Sequence, residues 1–176
     1  MKGVIFNVVE EVVVSLWDDD TWDDLLDDAG LDGSYTALGN YGDEELLALV
    51  DAAHRLTEIP VPSLLETIGE HATVRLAERL PGAAEDAGSA REFILRVNDI
   101  IHPEVKKLYP QAIPPVFEFT EHTDDDGLVV EYRSRRGLDA LAIGLLRGCG
   151  HLYGEPVDVD RVAGSTSTFR VSFKDA

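Results

Sequence analysis

The spacing of apolar residues changes once along this chain, and that change constrains the fold most. From Val4 to Leu108, apolar side chains recur at intervals of three and four residues, as in helices with one buried face. From Pro114 the interval becomes two, which is the period of a strand. Four segments with this period predict two hairpins, 116–120 with 128–136 around a turn at 124–127, and 157–162 with 168–173.

A second helical stripe, from Leu138 to Cys149, separates the two predicted hairpins. Helices followed by a small antiparallel sheet predict an α+β domain, in which the helical N-terminal half packs on the sheet. The 176 residues suit a single domain over residues 1–176.

Capping patterns predict where two of the helices begin. Thr21 followed by Asp24 predicts one start, and Ser89 followed by Glu92 predicts another helix, which runs to Leu108. Pro103 lies inside this second helix, and proline both lacks a backbone donor and disfavours helical geometry at the residue before it. We therefore expect a kink or a restart at Pro103.

Charge and cysteine content exclude several classes of function. The chain has 34 acidic and 15 basic residues, a formal charge of -19, which repels nucleic-acid phosphates and anionic membranes. Acidic runs at 18–20 and 124–126 fit either a high-salt cytosol or simple solubility. Because Cys149 is the only cysteine, neither an internal disulfide nor a cysteine-cluster zinc site can form. No apolar run approaches the roughly 20 residues of a membrane span, so we expect a cytoplasmic protein.

The strand predicted from Leu128 carries the first chemical signal. Alternation places on one of its faces Leu128, Val130, Tyr132, Ser134 and Arg136. This face ends in a phenol, a hydroxyl and a guanidinium, which need acceptors if they are buried. An anion with several oxygens satisfies all three, although pairing of Arg136 with one of the many acids explains the pattern equally well.

His102 lies at the edge of an apolar stripe, between Ile101 and Val105, where an imidazole can face a cavity and ligate a metal. A hydrogen-bonded core histidine is the alternative. The other four histidines form no pair at metal-ligand spacing, so a metal site built wholly from protein ligands is not predicted. The sequence also lacks a phosphate-binding glycine loop and the patterns typical of nucleophilic catalysis.

In this order, His102, Pro114-Pro115 and the motif Tyr132-x-Ser134-x-Arg136 resemble the haem nitric oxide/oxygen binding family, H-NOX. The resemblance covers nearly the whole chain, including Met1 to Ile5, Leu108-Tyr109-Pro110 and the helix at 137–153. Residues 99–157 are especially similar to the haem domain of the β subunit of soluble guanylate cyclase. The resemblance implies the H-NOX fold, with haem between the helices and the sheet.

The resemblance also implies haem b as cofactor and assigns roles to individual residues. His102 would be the proximal iron ligand; Tyr132, Ser134 and Arg136 would bind the haem propionates; Ile5 and Pro115 would distort the haem. The distal pocket would comprise Val9, Ala72, Leu76, Leu141 and Leu145. In oxygen-binding members a tyrosine occupies the position of Leu141, with polar or aromatic partners at those of Val9 and Ala72. Because all three are apolar here, we expect nitric oxide and carbon monoxide to bind and oxygen to be excluded.

The function implied is that of a sensor that is not an enzyme. Nitric oxide would release His102 from the iron and so change the protein surface, and a histidine kinase, a diguanylate cyclase or a chemotaxis receptor would read that change in trans. Two alternatives remain open. One is a haem enzyme such as a peroxidase or a nitric oxide scavenger, and the other is a haem-free module that binds a carboxylated ligand through Tyr132 and Arg136.

Overall fold

The change of period at Pro114 corresponds to a change from helices to strands in the computed structural model. The structure describes residues 1–80, 82, 84–121 and 127–174. The helices are α1 (Gly3–Leu16), α2 (Asp19–Ala29), α3 (Asp43–Thr57), α4 (Val61–Glu78), α5 (Ala90–Leu95), α6 (His102–Leu108) and α7 (Asp139–Tyr153), with a π-helical segment at Val97–Ile101 between α5 and α6. The strands are β1 (Val116–Glu121), β2 (Leu128–Arg133), β3 (Val157–Arg161) and β4 (Thr168–Phe173). The predicted α+β fold is confirmed.

The start of α1 lies directly against the loop that precedes α3. The backbone amides of Gly3 and Val4 donate to the carbonyls of Gly39 and Ala37, both at 3.1 Å, and thereby satisfy donors that a helix start leaves unpaired. A Cβ on Gly3 would lie 2.0 Å from the Thr36 carbonyl oxygen, so this approach requires glycine. The first turn of α1 is therefore held in a fixed position.

The prediction that Thr21 caps α2 is wrong, because the N-cap lies three residues earlier and is an aspartate. Asp18 is the N-cap of α2, and one of its carboxylate oxygens accepts from the Thr21 amide at 2.8 Å and from the Thr21 hydroxyl at 2.7 Å. Thr21 is thus a donor in the first turn. A run of three aspartates offered several equally good caps, and the spacing of threonine and aspartate favoured the wrong one.

Helices α4 and α7 cross with their backbones in contact. A Cβ on Gly144 would lie 2.0 Å from the Glu66 carbonyl oxygen, and one on Gly69 would lie 2.4 Å from the Leu141 carbonyl oxygen. Since neither backbone atom can give way easily, the two glycines set the distance between the helices. The crossing fixes α7 relative to the N-terminal helices.

The helix predicted from Ser89 to Leu108 is interrupted. Its start is confirmed, because the Ser89 hydroxyl accepts from the Glu92 amide at 3.1 Å. The π-helical segment then widens the turn before His102, where α6 begins with Pro103 in its first turn, so the expected restart is confirmed. Leu108, predicted on the inner face, is 48% exposed. The prediction assumed regular α-helical periodicity, whereas a π turn inserts an extra residue and so changes which side chains face inward.

The sheet is antiparallel with strand order β1-β2-β4-β3. On β2 the side chains of Leu128, Val130 and Tyr132 are buried, as alternation predicted. The strand ends at Arg133, however, so the predicted extension to Arg136 is wrong. Residues 124–126 of the predicted turn lie outside the described residues.

Two hydrophobic cores lie side by side in the molecule. The first, the N-terminal core, is formed by the buried faces of α1 to α4, and the second, the sheet core, by α5, the sheet and α7. Helix α7 contributes to both, with Ala140 in the first and Ile143 and Leu146 in the second. Within the described part of the chain, no helix combines the length and the apolar character that crossing a membrane requires.

Candidate functional site

A cavity of about 280 Å³ is bordered by residues of both cores. Its walls come from α1, α4 to α7, β1, β2 and the segments that flank them, and most of its lining is apolar. Eight of the residues singled out in the sequence line it together: Ile5, Leu76, His102, Pro115, Tyr132, Arg136, Leu141 and Leu145. Residues that are far apart in sequence thus meet at one site.

Three further predicted residues do not belong to the described lining of the cavity. Val9 and Ala72 are 3% and 4% exposed within the N-terminal core. Ser134 lies beyond the end of β2, where its hydroxyl accepts from the Arg136 amide at 3.2 Å. Ser134 therefore shapes the turn that carries Arg136.

Several lining residues were not predicted from the sequence, among them Lys2, Thr73, Phe117 and Cys149. A signal for Thr73 was available, since it lies three residues before Leu76 and hence on the same face of α4. For Phe117 and Cys149 there was none, because the periodicity that placed them inside a core did not indicate a cavity within it.

His102 is the first residue of α6, and its imidazole lines the cavity. Burial, and to a smaller extent the charge of Lys106, lowers the pKa of His102 to about 4, so the ring is neutral at physiological pH. Its centroid lies 6.2 Å from that of Phe117. Among the described residues, no group forms a hydrogen bond with the ring nitrogens, unlike in a satisfied core histidine. A neutral imidazole with an unused lone pair is suited to ligate a metal.

Arg136 lies at the other end of the lining and is held by two acceptors. Its Nε donates to Asp43 Oδ2 at 3.0 Å and its Nη1 donates to the Ile113 carbonyl at 2.7 Å. Burial alone would raise the pKa of Asp43, but hydrogen bonds from the Met1 ammonium and from Arg136 lower it overall. The pairing with an acid that the sequence left open is thus present, and the guanidinium still borders the cavity.

Tyr132 lies beside Phe117, which in turn lies beside His102. Its side chain is 7% exposed, and burial raises its pKa, so the phenol keeps its proton and can donate. The Phe117 ring lies between those of His102 and Tyr132, with its centroid 5.5 Å from that of Tyr132. The order along the wall is imidazole, phenyl and phenol.

The wall formed by α4 and α7 offers little to a polar ligand. The Thr73 hydroxyl lies 3.1 Å from the Gly69 carbonyl and 2.9 Å from the Leu145 carbonyl, so its one proton is already engaged. Burial raises the pKa of Cys149 to about 12, so its thiol stays protonated. Leu76, Leu141 and Leu145 complete this part of the lining with hydrocarbon.

The residues of the cavity fit a haem. Within the described residues, no three His, Cys, Asp or Glu side chains come together as a metal site, so one imidazole needs the other metal ligands from a cofactor. Apolar walls suit a macrocycle, while Tyr132 and Arg136 at one end suit its carboxylates.

Comparison with known proteins agrees with this fit. The family model described as Haem-NO-binding matches residues 2–161. The structure is similar to that of an H-NOX protein from Shewanella woodyi in the Fe(II)CO state, with 30% identity, a TM-score of 0.79, and 98% of this chain and 94% of that chain covered. It is also similar to the Fe(II) unliganded H-NOX protein from K. algicida, with 24% identity, a TM-score of 0.85, and 100% of this chain and 98% of that chain covered. An H-NOX protein from S. oneidensis in the Fe(II)NO state matches with a TM-score of 0.90 at 24% identity, over 99% of this chain and 100% of that one.

Proposed function

Since the chain belongs to the Haem-NO-binding family, H-NOX, whose domains are haem-binding gas sensors, we propose that it binds nitric oxide and carbon monoxide at an iron held by His102. In this proposal the protein excludes oxygen and signals by releasing His102. The observation that carries the proposal is the cavity lining, where one imidazole without a hydrogen-bond partner among the described residues shares an apolar wall with Tyr132 and Arg136.

When bound, haem would supply a ferrous iron that can accept an imidazole and a diatomic gas. His102 would provide the imidazole from the first turn of α6, and its lowered pKa keeps the ring neutral, with one nitrogen free of a proton. Arg136 and Tyr132 would donate to the propionates, and Ser134 fixes the turn that carries Arg136. Ile5 and Pro115 lie on the lining, in the first turn of α1 and just before β1, where they would press on the macrocycle.

Gas selectivity is proposed to follow from the wall of α4 and α7. Haem in this cavity would need a nearby hydrogen-bond donor to bind oxygen stably, whereas nitric oxide would need none. Leu76, Leu141 and Leu145 cannot donate, and the Thr73 proton is engaged by two carbonyls. Val9 and Ala72 add apolar packing behind this wall.

The output is proposed to be a change of surface that a partner in trans reads, with no reaction catalysed by the chain. Helix α6 begins at His102 and follows the π-helical segment. Release of His102 from the iron would therefore free the start of α6, where the His102 ring lies near Phe117 of β1. A histidine kinase, a diguanylate cyclase or a chemotaxis receptor would be a suitable reader. Measurable turnover of peroxide or nitric oxide would argue for an enzyme instead.

Absorption spectra of the reduced protein, first alone and then with oxygen, carbon monoxide and nitric oxide, test the proposal. We expect spectral changes with carbon monoxide and nitric oxide and none with oxygen. His102→Gly should lose the iron–imidazole bond, and added free imidazole should restore it, because the side chain is replaced in place. Protein that stays colourless after haem reconstitution, or a His102→Gly variant with the wild-type spectrum, would refute the proposal.

A further inference from the structure

The π-helical segment that precedes His102 is attached to the edge of the sheet by the side chain of Asn98. The Phe117 amide donates to Asn98 Oδ1 at 3.1 Å, and Asn98 Nδ2 donates to the Phe117 carbonyl oxygen. The side-chain amide therefore pairs with both backbone groups of one residue, as a neighbouring strand would. We refer to this pair of hydrogen bonds as the Asn98 clamp.

Strand β1 is an edge of the sheet, and the clamp occupies its outer side at Phe117. Phe117 faces Tyr132 in the register of β1 and β2, and the Tyr132 amide donates away from β1, to the Ser167 carbonyl at 2.8 Å. Phe117 and Tyr132 are thus a pair without backbone hydrogen bonds between them, in which side chains approach closely. The Asn98 clamp replaces the backbone bonds that Phe117 does not make with β2.

The same phenylalanine also borders the proposed iron ligand. Its ring centroid lies 6.2 Å from that of His102 and 5.5 Å from that of Tyr132. Asn98 precedes His102 by four residues, and the amide of His102 donates to the Val97 carbonyl across the wide turn. The clamp therefore ties the backbone around His102 to the strand that carries Phe117.

We propose that Asn98 is a positioning residue for His102, whose clamp limits how far the imidazole can follow the iron when nitric oxide binds. This inference rests on the proposed role of His102. With the clamp intact, the π-helical segment would hold the His102 imidazole in place, and this would favour its release from the iron. Without the clamp, the π-helical segment could move with the imidazole, and His102 would stay bound.

Asn98→Leu removes both hydrogen bonds while it keeps a side chain of similar size. We expect the ratio of nitric oxide complexes with His102 bound to those with His102 released to rise about tenfold, because each lost hydrogen bond contributes a few-fold. Electron paramagnetic resonance and the Soret band measure this ratio. Asn98→Asp keeps the acceptor for the Phe117 amide and loses the donor, so it should give a smaller shift in the same direction.

Two controls separate positioning from general loosening. Ile100→Ala removes an exposed side chain from the same segment, and Val159→Ala destabilises the far edge of the sheet core, where Val159 is 2% exposed. Neither should change the ratio. Hydrogen exchange at the Phe117 amide should accelerate in Asn98→Leu but not in the controls.

An unchanged ratio in Asn98→Leu, together with faster exchange at Phe117, would overturn the inference and leave Asn98 with a structural role alone. If Asn98→Leu does not fold, Asn98→Asp decides, and a ratio equal to that of the wild type has the same consequence. A wild-type protein without an iron–His102 bond would instead refute the proposed function, and this inference with it.

Discussion

At the residue scale, the surroundings of two side chains bear on alternatives that the sequence left open. A core histidine would be hydrogen bonded, whereas the ring nitrogens of His102 have no such partner among the described residues. Arg136 does pair with an acid, Asp43, and yet remains part of the cavity lining. Its ion pair therefore holds the guanidinium in place and does not argue against a ligand.

Leu141→Tyr should convert the protein to one that binds oxygen. The phenol would add a donor to a wall whose described polar groups are already engaged, and a hydrogen bond to a charged acceptor contributes about 1.5–3 kcal/mol, or about 10–100-fold in oxygen release. The absorption spectrum of the reduced variant in air measures this. Leu141→Phe is the matched control, since it adds the ring without the hydroxyl; equal oxygen binding by both variants would show that cavity shape governs selectivity.

The site residues predicted from the sequence can be recognised from a local pattern, whereas those that were missed depend on contacts between distant parts of the chain. His102, Tyr132 and Arg136 carry polar groups in apolar patterns, which the sequence displays directly. The engagement of Thr73 by the Gly69 and Leu145 carbonyls depends on the crossing of two helices that are far apart in sequence. No local pattern contains that information.

At the element scale, helices and strands were predictable where one face is continuously buried, and their ends were not. The stripe of α1 and the alternation of β2 follow the cores closely. The π-helical segment and the end of β2 at Arg133 depend instead on contacts with other elements, such as the Asn98 clamp on β1. Local periodicity does not indicate such contacts, so these ends could not be predicted from the sequence.

Gly144→Ala should destabilise the crossing of α4 and α7. Its Cβ would lie 2.0 Å from the Glu66 carbonyl oxygen and 2.9 Å from the Glu70 amide, so the helices must separate. Overpacking of this kind costs about 1–3 kcal/mol. Urea unfolding measures the loss, and Gly88→Ala, whose Cβ meets the flexible Glu92 carboxylate at 3.3 Å, should change the free energy of unfolding far less. Equal losses in both variants would contradict the role of the crossing.

Asp18→Ala should lower the melting temperature by about 2–4 °C, the usual effect of a lost N-cap in a chain of this size. Asp24→Ala, which removes the partner that the sequence predicted, should have little effect. Hydrogen bonds from the Thr21 side chain and amide lower the pKa of Asp18, so its contribution is present above the ordinary pKa range of aspartate. The difference between wild type and Asp18→Ala should therefore shrink as the pH falls through that lowered pKa. A difference that does not shrink as the pH falls below the ordinary pKa of aspartate would exclude a charged cap.

At the scale of the whole molecule, the cavity depends on having two cores rather than one. Helix α7 belongs to both, and the crossing with α4 attaches it to the N-terminal helices while Ile143 and Leu146 attach it to the sheet core. A movement of α6 at His102 therefore acts at the border of the two cores. The sequence predicted both halves, but the space between them follows from packing over the whole chain.

The charge of the whole molecule makes a further prediction about its stability. With 34 acidic and 15 basic residues, repulsion within the folded state opposes compaction, and added salt screens it. Salt also screens exposed ion pairs such as Arg55–Asp28, but each of these contributes at most about 1 kcal/mol, so repulsion should dominate. The melting temperature should thus rise with sodium chloride.

The shape of this rise distinguishes screening from a general effect of salt on apolar burial. The Debye length falls from about 30 Å at 0.01 M to about 8 Å at 0.15 M, so screening should produce most of the increase within that range. An effect on burial would instead grow steadily toward about 1 M, and sucrose, which also favours burial but carries no charge, should reproduce it. Thermal unfolding followed by circular dichroism, in sodium chloride and in sucrose of equal osmolality, therefore separates the two. A melting temperature that falls between about 0.01 M and about 0.15 M would mean that specific ion pairs outweigh the excess of acidic charge.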